Sequence, residues 1–253
     1  MKFLRTSIAL FVVLAVLTGC SNVSAPALTA TPSPSLSIAL SSPSPTPVFD
    51  VTPTPEPALE FIFDPYVLPS DAQSYLGENY PEYKYLVDAV LLRADSVFLS
   101  EDSLVPVMSC FYAEFPLGIL LRDYAVVESD SEDKEILLTY NFDASEQTER
   151  VDAFQSRIEE IILSTIKPSH NDCEKALLLY KWTAQNIVYA DADDVSPYNA
   201  IMNGRGICQS YAGAYTFLLL QAGIDSLSGG AFMTDGAAHE WNLVRLNGAW
   251  FHM

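Results

Sequence analysis

The spacing of apolar residues along this 253-residue chain changes several times, and each change predicts an element. After residue 146, Val151, Phe154, Ile158, Ile161, Ile162 and Thr165 recur at i, i+3, i+7, i+10, i+11 and i+14, one face of a helix. Pro168 ends it. Asn171 then stands three residues before Glu174, a capping-box start for a second helix with Ala176, Leu179, Tyr180 and Ile187 on one side. Residues 208–222 are apolar almost all round, the signature of a buried helix, with Gly204 and Gly206 allowing a tight entry and Gly223 a stop. Strand-like segments follow. Asn247-Gly248 between 241–246 and 249–253 predicts a two-residue hairpin that pairs 246 with 249, 245 with 250, 244 with 251 and 243 with 252. Residues two apart share a face, so His239, Trp241, Leu243, Arg245, Trp250 and His252 fall on one side of the sheet.

Upstream the pattern is weaker. Residues 81–93 read as a helix with Pro81 in its first turn. Residues 96–99, 105–111 and 135–142 read as strands, and the acidic run 128–135 as a solvated loop. No repeat is visible, and 60–145 carries no recognised motif.

The first residues carry a different message. Lys2 and Arg5 precede an apolar run, 7–17, too short for a membrane span, which reads as a cleaved export signal. Its ending, Leu17-Thr18-Gly19-Cys20, resembles the lipobox of bacterial lipoproteins. That resemblance implies cleavage before Cys20, lipid on its thiol and new amino terminus, and anchoring at the extracytoplasmic face of the cell membrane by more than one acyl chain. The segment that follows is built of Ser, Thr, Ala and Pro, with no charged residue between Arg5 and Asp50. Such a composition predicts a disordered tether, extended at roughly 3 Å per residue. The expected organisation is therefore a signal over 1–19, a tether over 20–57, a region of mixed strand and helix over 58–145, and a core over 146–253.

The formal net charge of −19 disfavours nucleic acid and anionic lipid headgroups as partners; it fits extracellular solubility or a cationic partner. With Cys20 assigned to lipid, Cys110, Cys173 and Cys208 remain, an odd number. A Cys110–Cys173 disulfide and two unpaired thiols both stay open.

Cys208 falls in the first turn of the apolar helix, where negative charge is favoured and a thiol ionises more readily. An imidazole beside it would shuttle the proton, and a third group would hold that ring's orientation. His239 suits the second role. The third falls on position 254, a diagonal neighbour of His239 at roughly 7–8 Å in the hairpin register. Taken singly, a cysteine in an apolar helix is more often core, and Trp241 and Trp250 are more often aromatic packing than walls of a substrate cleft. Gln209 is a candidate oxyanion contact or simply a helix residue, and His252 a packing residue. Asp191, Asp193 and Asp194 lack the spacing of a calcium loop. No metal or other cofactor is expected.

Together these motifs resemble the transglutaminase-like superfamily in its bacterial extracytoplasmic branch. Gly206-Ile207-Cys208-Gln209-Ser210-Tyr211-Ala212 matches that family's Gly-x-Cys-x-x-Tyr-Ala, and His239-Glu240-Trp241-Asn242 its His-x-Trp-Asn. Trp250-Phe251-His252-Met253 follows Trp-Tyr-His-hydrophobic-Asp, with Phe for Tyr. The resemblance implies an α+β, papain-like core with Cys208 as nucleophile, His239 as general base and an orienting aspartate just after Met253. It further implies that the core is cut short, since more strands would normally follow. The activity implied is hydrolysis of peptide or amide bonds through an acyl-thioester, on a protein, peptide or cell-wall peptide. The alternatives are glutamine crosslinking and a non-catalytic surface scaffold.

Overall fold

The computed structural model describes residues 57–191, 194–234 and 236–253. The expected signal over 1–19, Cys20, the expected tether except Pro57, and Asp193 lie outside them. The first helices are α1 (Ser70–Leu76) and α2 (Tyr80–Leu91), the latter with its proline in the first turn as expected and with Tyr83, Leu86, Val87 and Val90 buried. Strand β1 (Ser96–Ser100) leads straight into α3 (Glu101–Glu114), which corrects the expectation of a strand over 105–111. Leu104, Val107, Met108 and Phe111 follow a helical spacing as well as a short apolar run, and the local chemistry decides between them. The Ser100 side chain accepts the Ser103 N–H at 3.3 Å, and Glu101 and Asp102 put negative charge in the first turn. Glu82 of α2 ties the same corner. It accepts the Ser100 N–H at 3.0 Å and hydroxyl at 3.1 Å, together with the Ser103 hydroxyl.

β2 (Leu121–Val126) and β3 (Asp133–Tyr140) complete a three-stranded antiparallel sheet in the order β1-β3-β2, with Val97 opposite Ile136 and Tyr124 opposite Leu138. The acidic run is a loop only as far as residue 132; Asp133 opens β3.

The longest helix, α4 (Ala144–Thr165), buries Phe154, Ile158, Ile161 and Ile162, the face read from their spacing. Asp143 caps it by accepting the Glu146 N–H at 2.9 Å. α5 (Asp172–Asn186) opens on a complete capping box: Asn171 accepts the Glu174 N–H at 3.0 Å, and Glu174 accepts the Asn171 N–H at 2.8 Å. Its buried side holds Ala176, Leu179 and Thr183; Tyr180 is half-exposed and Ile187 lies just past the helix end. A parallel pair, β4 (Val188–Tyr189) with β5 (Arg205–Gly206), encloses the short α6 (Pro197–Asn203).

α7 (Cys208–Gln221) is the buried helix, with Ala212, Ala214, Tyr215, Phe217, Leu218 and Leu219 enclosed. It lies on a second antiparallel sheet, β6 (Ser226–Phe232), β7 (Ala238–Leu246) and β8 (Ala249–His252), in the order β6-β7-β8. The hairpin pairs Leu246 with Ala249, Arg245 with Trp250, Val244 with Phe251 and Leu243 with His252. Asn247 at φ 51° and Gly248 at φ 80° supply the two left-handed residues such a turn requires. Phe154 joins the layers: its ring stands 6.3 Å from Phe63, 5.4 Å from Tyr198 and 5.8 Å from Phe217. Among the described residues no helix is long and apolar enough to cross a membrane.

Candidate active site

The approach to α7 is held by close packing. A Cβ on Gly206 would lie 2.3 Å from the Cβ of Ser210, so only glycine fits. Buried Ser210 accepts the Ile207 N–H at 3.3 Å and donates to the Val195 carbonyl at 2.8 Å. Tyr211 donates to the Ile187 carbonyl, and its ring stands 5.9 Å from Tyr189. Pro197 packs where a side chain on Gly213 would be, 2.5 Å from its ideal Cβ. Cys208 is the first residue of the helix so fixed, and is half-buried; Gln209 is exposed.

β7 is bolted to α7 by Asn242. Its buried side-chain amide donates to the Ala212 carbonyl at 2.8 Å and to the Thr216 hydroxyl at 2.9 Å. The Thr216 and Ser226 hydroxyls meet at 3.3 Å, and Ser226 pairs with Val244. Val244 is thus level with Thr216, and Asn242 lies between Thr216 and Ala212. The strand and helix therefore run the same way, and the first residues of β7 lie alongside the first turn of α7.

The same bonds decide which sheet face meets the helix. Asn242 and Val244 are buried against it. His239, Trp241, Leu243 and Arg245 alternate onto the opposite face, with Trp250 and His252 of β8 beside them. This is the shared face read from the hairpin. The His239 ring is exposed and lies 6.3 Å from the Trp241 ring; Trp241 lies 6.1 Å from His252. The indole covers Gly229, whose ideal Cβ would lie 3.5 Å from Nε1, and among the described residues its buried N–H has no acceptor. Trp250 is 42% exposed. The structure thus gathers His239, Trp241 and His252. Among the described residues no hydrogen bond joins Cys208 to His239.

Sequence reasoning missed Glu240. It shares the helix-facing side with Asn242, accepts a hydrogen bond from Ser228, and burial pushes its carboxyl above the usual range. Glu114, at the end of α3, is held up at about 7 by burial, then by repulsion from Asp71 and Glu240. The hairpin register put Glu240 opposite to His239 in facing, but which face the helix would cover was not readable from the strand alone.

Among the described residues Cys110, Cys173 and Cys208 are free. Cys110 is buried, and burial, followed by Glu114 and Asp71, pushes its thiol up to about 12. Cys173 is exposed at the start of α5, 3.9 Å from the Asn247 amide. Among the described residues no group of three His, Cys, Asp or Glu side chains could hold a metal ion. The Asp194 carboxylate accepts the Ser196 N–H at 2.8 Å, a turn contact.

A buried helix that opens on a half-exposed cysteine and lies across an antiparallel sheet defines an α+β, thiol-bearing core. The model of the transglutaminase-like superfamily matches residues 159–253, and that stretch is a transglutaminase-like domain. Three solved structures are similar at low identity. One is a candidate cysteine protease from Cytophaga hutchinsonii, 10% identical, TM-score 0.33, covering 63% of this chain and 64% of that one. The second is a TGase, 9% identical, TM-score 0.34, covering 53% and 43%. The third is a candidate protease from Parabacteroides distasonis, 13% identical, TM-score 0.31, covering 51% and 35%. The chain spans less than two thirds of the length of each. No curated protein matches it.

Proposed function

We propose that this protein is a lipid-anchored, extracytoplasmic cysteine enzyme of the transglutaminase-like kind that hydrolyses peptide or amide bonds. The anchor is assigned to Cys20, from its lipobox-like context. The Cys208 sulfur attacks the substrate carbonyl carbon, forming a C–S bond. His239 takes the thiol proton and returns it to the departing amine as the C–N bond breaks. Water then attacks the thioester, His239 accepts its proton, and the carboxylic acid leaves as the thiol is restored. A primary amine in place of water would give crosslinking instead.

The observation that carries this reading is the common direction of α7 and β7. It brings the end of the helix bearing Cys208 and the end of the strand bearing His239 to one edge of the domain. The dyad closes when the start of β7 twists to turn His239 toward the sulfur. Residues 238–241 pair with β6 alone among the described residues, so that end is held from one side. Catalytic contacts commonly tighten only with substrate bound.

A specific observation also favours a second reading, a non-catalytic surface scaffold: the thiol and imidazole share no hydrogen bond, and the ring lies on the face away from the helix. Incubation with glutamine-containing and cell-wall peptides, with and without a labelled primary amine, separates the two. Peptide cleavage, or ammonia release without added amine, that vanishes in Cys208→Ala supports the hydrolase, and Cys208-dependent incorporation of the labelled amine supports the crosslinking enzyme. Turnover no higher in wild type than in Cys208→Ala would sink both enzymatic readings and leave the scaffold.

A further inference from the structure

Cys208, Tyr211 and Tyr215 stand at i, i+3 and i+7 on α7, so the thiol opens the helix face that carries these two rings. That face meets α5. The Tyr211 hydroxyl donates to the carbonyl of Ile187, just past the end of α5, and the Tyr215 hydroxyl to the Ala176 carbonyl at 2.9 Å. The Tyr215 ring meets Tyr180 edge-on at 6.0 Å. On the other flank Asn242 of β7 holds Ala212 and Thr216. At 3.6 residues per turn, Cys208 falls between the flank of Tyr211 and Tyr215 and the flank of Ala212 and Thr216. The line that runs along α7 between α5 and the second sheet therefore begins at Cys208.

A groove of about 120 Å³ lies on that line. Tyr180, Thr183 and Ala184 of α5 wall one side, Tyr211 and Tyr215 form the floor, and Asn242 and Met253 close the other side. Tyr211 and Tyr215 lie about 4.5 and 10.5 Å beyond Cys208 along the helix, at 1.5 Å per residue. At about 3.5 Å per residue of extended chain, that distance separates a carbonyl held at the sulfur from the second or third substrate residue on that side.

The chemistry of the lining selects what enters. None of these side chains is charged, in a chain with 32 Asp and Glu residues. Their polar tips are engaged inside the protein. The Tyr211 and Tyr215 hydroxyls bond the carbonyls already named, the Thr183 hydroxyl donates to the Leu179 carbonyl at 3.0 Å, and the Asn242 amide is held by α7. Ring faces and methyl groups are left to meet a ligand, so a charged side chain would lose its water without gaining a partner. An apolar cavity of about 150 Å³ admits benzene. This smaller groove suits a branched aliphatic side chain and is tight for a phenyl ring.

We propose that this groove is a substrate subsite that takes an aliphatic side chain, from the second or third residue counted from the carbonyl that Cys208 attacks. The proposal rests on the reading of Cys208 as the nucleophile, and it makes Tyr180 and Ala184 the residues that set the size of the accepted side chain.

The test uses the whole chain and tripeptidyl chloromethyl ketones that carry Gly, Leu, Phe, Glu or Lys at the second or the third residue from the reactive group. Modification of Cys208 is followed by peptide mass spectrometry. The expected result is that leucine at one of these positions speeds modification about tenfold or more over glycine, the gain from burying such a side chain, while Glu and Lys give no gain. Ala184→Phe, at an exposed position, fills the groove and reduces the leucine advantage to about twofold or less. Tyr180→Ala, also at an exposed position, widens the groove and lets phenylalanine match leucine. No leucine advantage in wild type, a larger advantage for Glu or Lys, or a leucine advantage that survives Ala184→Phe would overturn the proposal. Failure of the underlying reading shows separately. If the glycine reagent modifies Cys208 no faster than exposed Cys173, the nucleophile falls and the subsite with it. If Cys208 reacts faster than Cys173 but is indifferent to the side chain, the subsite alone is lost.

Discussion

Replacing Glu114 with glutamine tests how the end of α3 meets the second sheet. Burial, Asp71 and Glu240 together hold this carboxyl at about 7, against 4.5 for an ordinary glutamate. The folded protein therefore binds this proton more tightly than the unfolded chain does. Below the ordinary value both states are protonated and the group costs nothing. As pH rises from there through 7, the unfolded chain ionises freely while the folded one is penalised, so stability falls. At about 1.4 kcal/mol for each pH unit between 4.5 and about 7, the cost above neutral pH is at most about 3.5 kcal/mol. Glu114→Gln removes that titration. The assay is urea unfolding of wild type and variant from pH 4 to pH 8. The difference in unfolding free energy, variant minus wild type, should rise by about 3 kcal/mol across the range, on top of any constant offset. A difference that stays flat, or that grows toward acid, would refute the proposed burial of this carboxyl against Asp71 and Glu240.

Other predictions follow from single contacts. Asn242→Ala strands the Ala212 carbonyl and the Thr216 hydroxyl inside the domain, and should lower unfolding free energy by about 2–3 kcal/mol with no change in the pH profile. Gly206→Ala drives a methyl into Ser210 and should cost about 1–3 kcal/mol, read as a lower melting temperature. Among the thiols, Cys173 should react with iodoacetamide well before Cys110, whose thiol is buried and pushed up to about 12; faster labelling of Cys110 would contradict its packing.

Much of the second half was legible in the sequence because local rules act alone there. The Asn171–Glu174 capping box, the spacing from Val151 to Ile162 and the Asn247-Gly248 turn each specify structure within a few residues, and the hairpin register follows from the turn. The apolar helix after Cys208 was legible because only a buried helix tolerates such a run. The misreading at 105–111 shows the limit: a short apolar run suits strand or helix, and a capping serine with Glu82, some twenty residues away, settled it. The chemistry of Glu114 and Glu240 depends on which elements pack together, which no local pattern contains. The facing of His239 belongs with these. Alternation grouped it with Trp241 and His252, but only the contact of Asn242 with α7 tells which side the helix takes.

The central claim is that Cys208 and His239 work as one unit. Its most direct test is the rate of iodoacetamide alkylation at each cysteine at pH 7, resolved by peptide mass spectrometry, in wild type and His239→Ala. The account predicts that Cys208 reacts at least tenfold faster than exposed Cys173 in wild type, and that the advantage is largely lost in the variant. A Cys208 rate equal to that of Cys173 and unmoved by His239→Ala would contradict it.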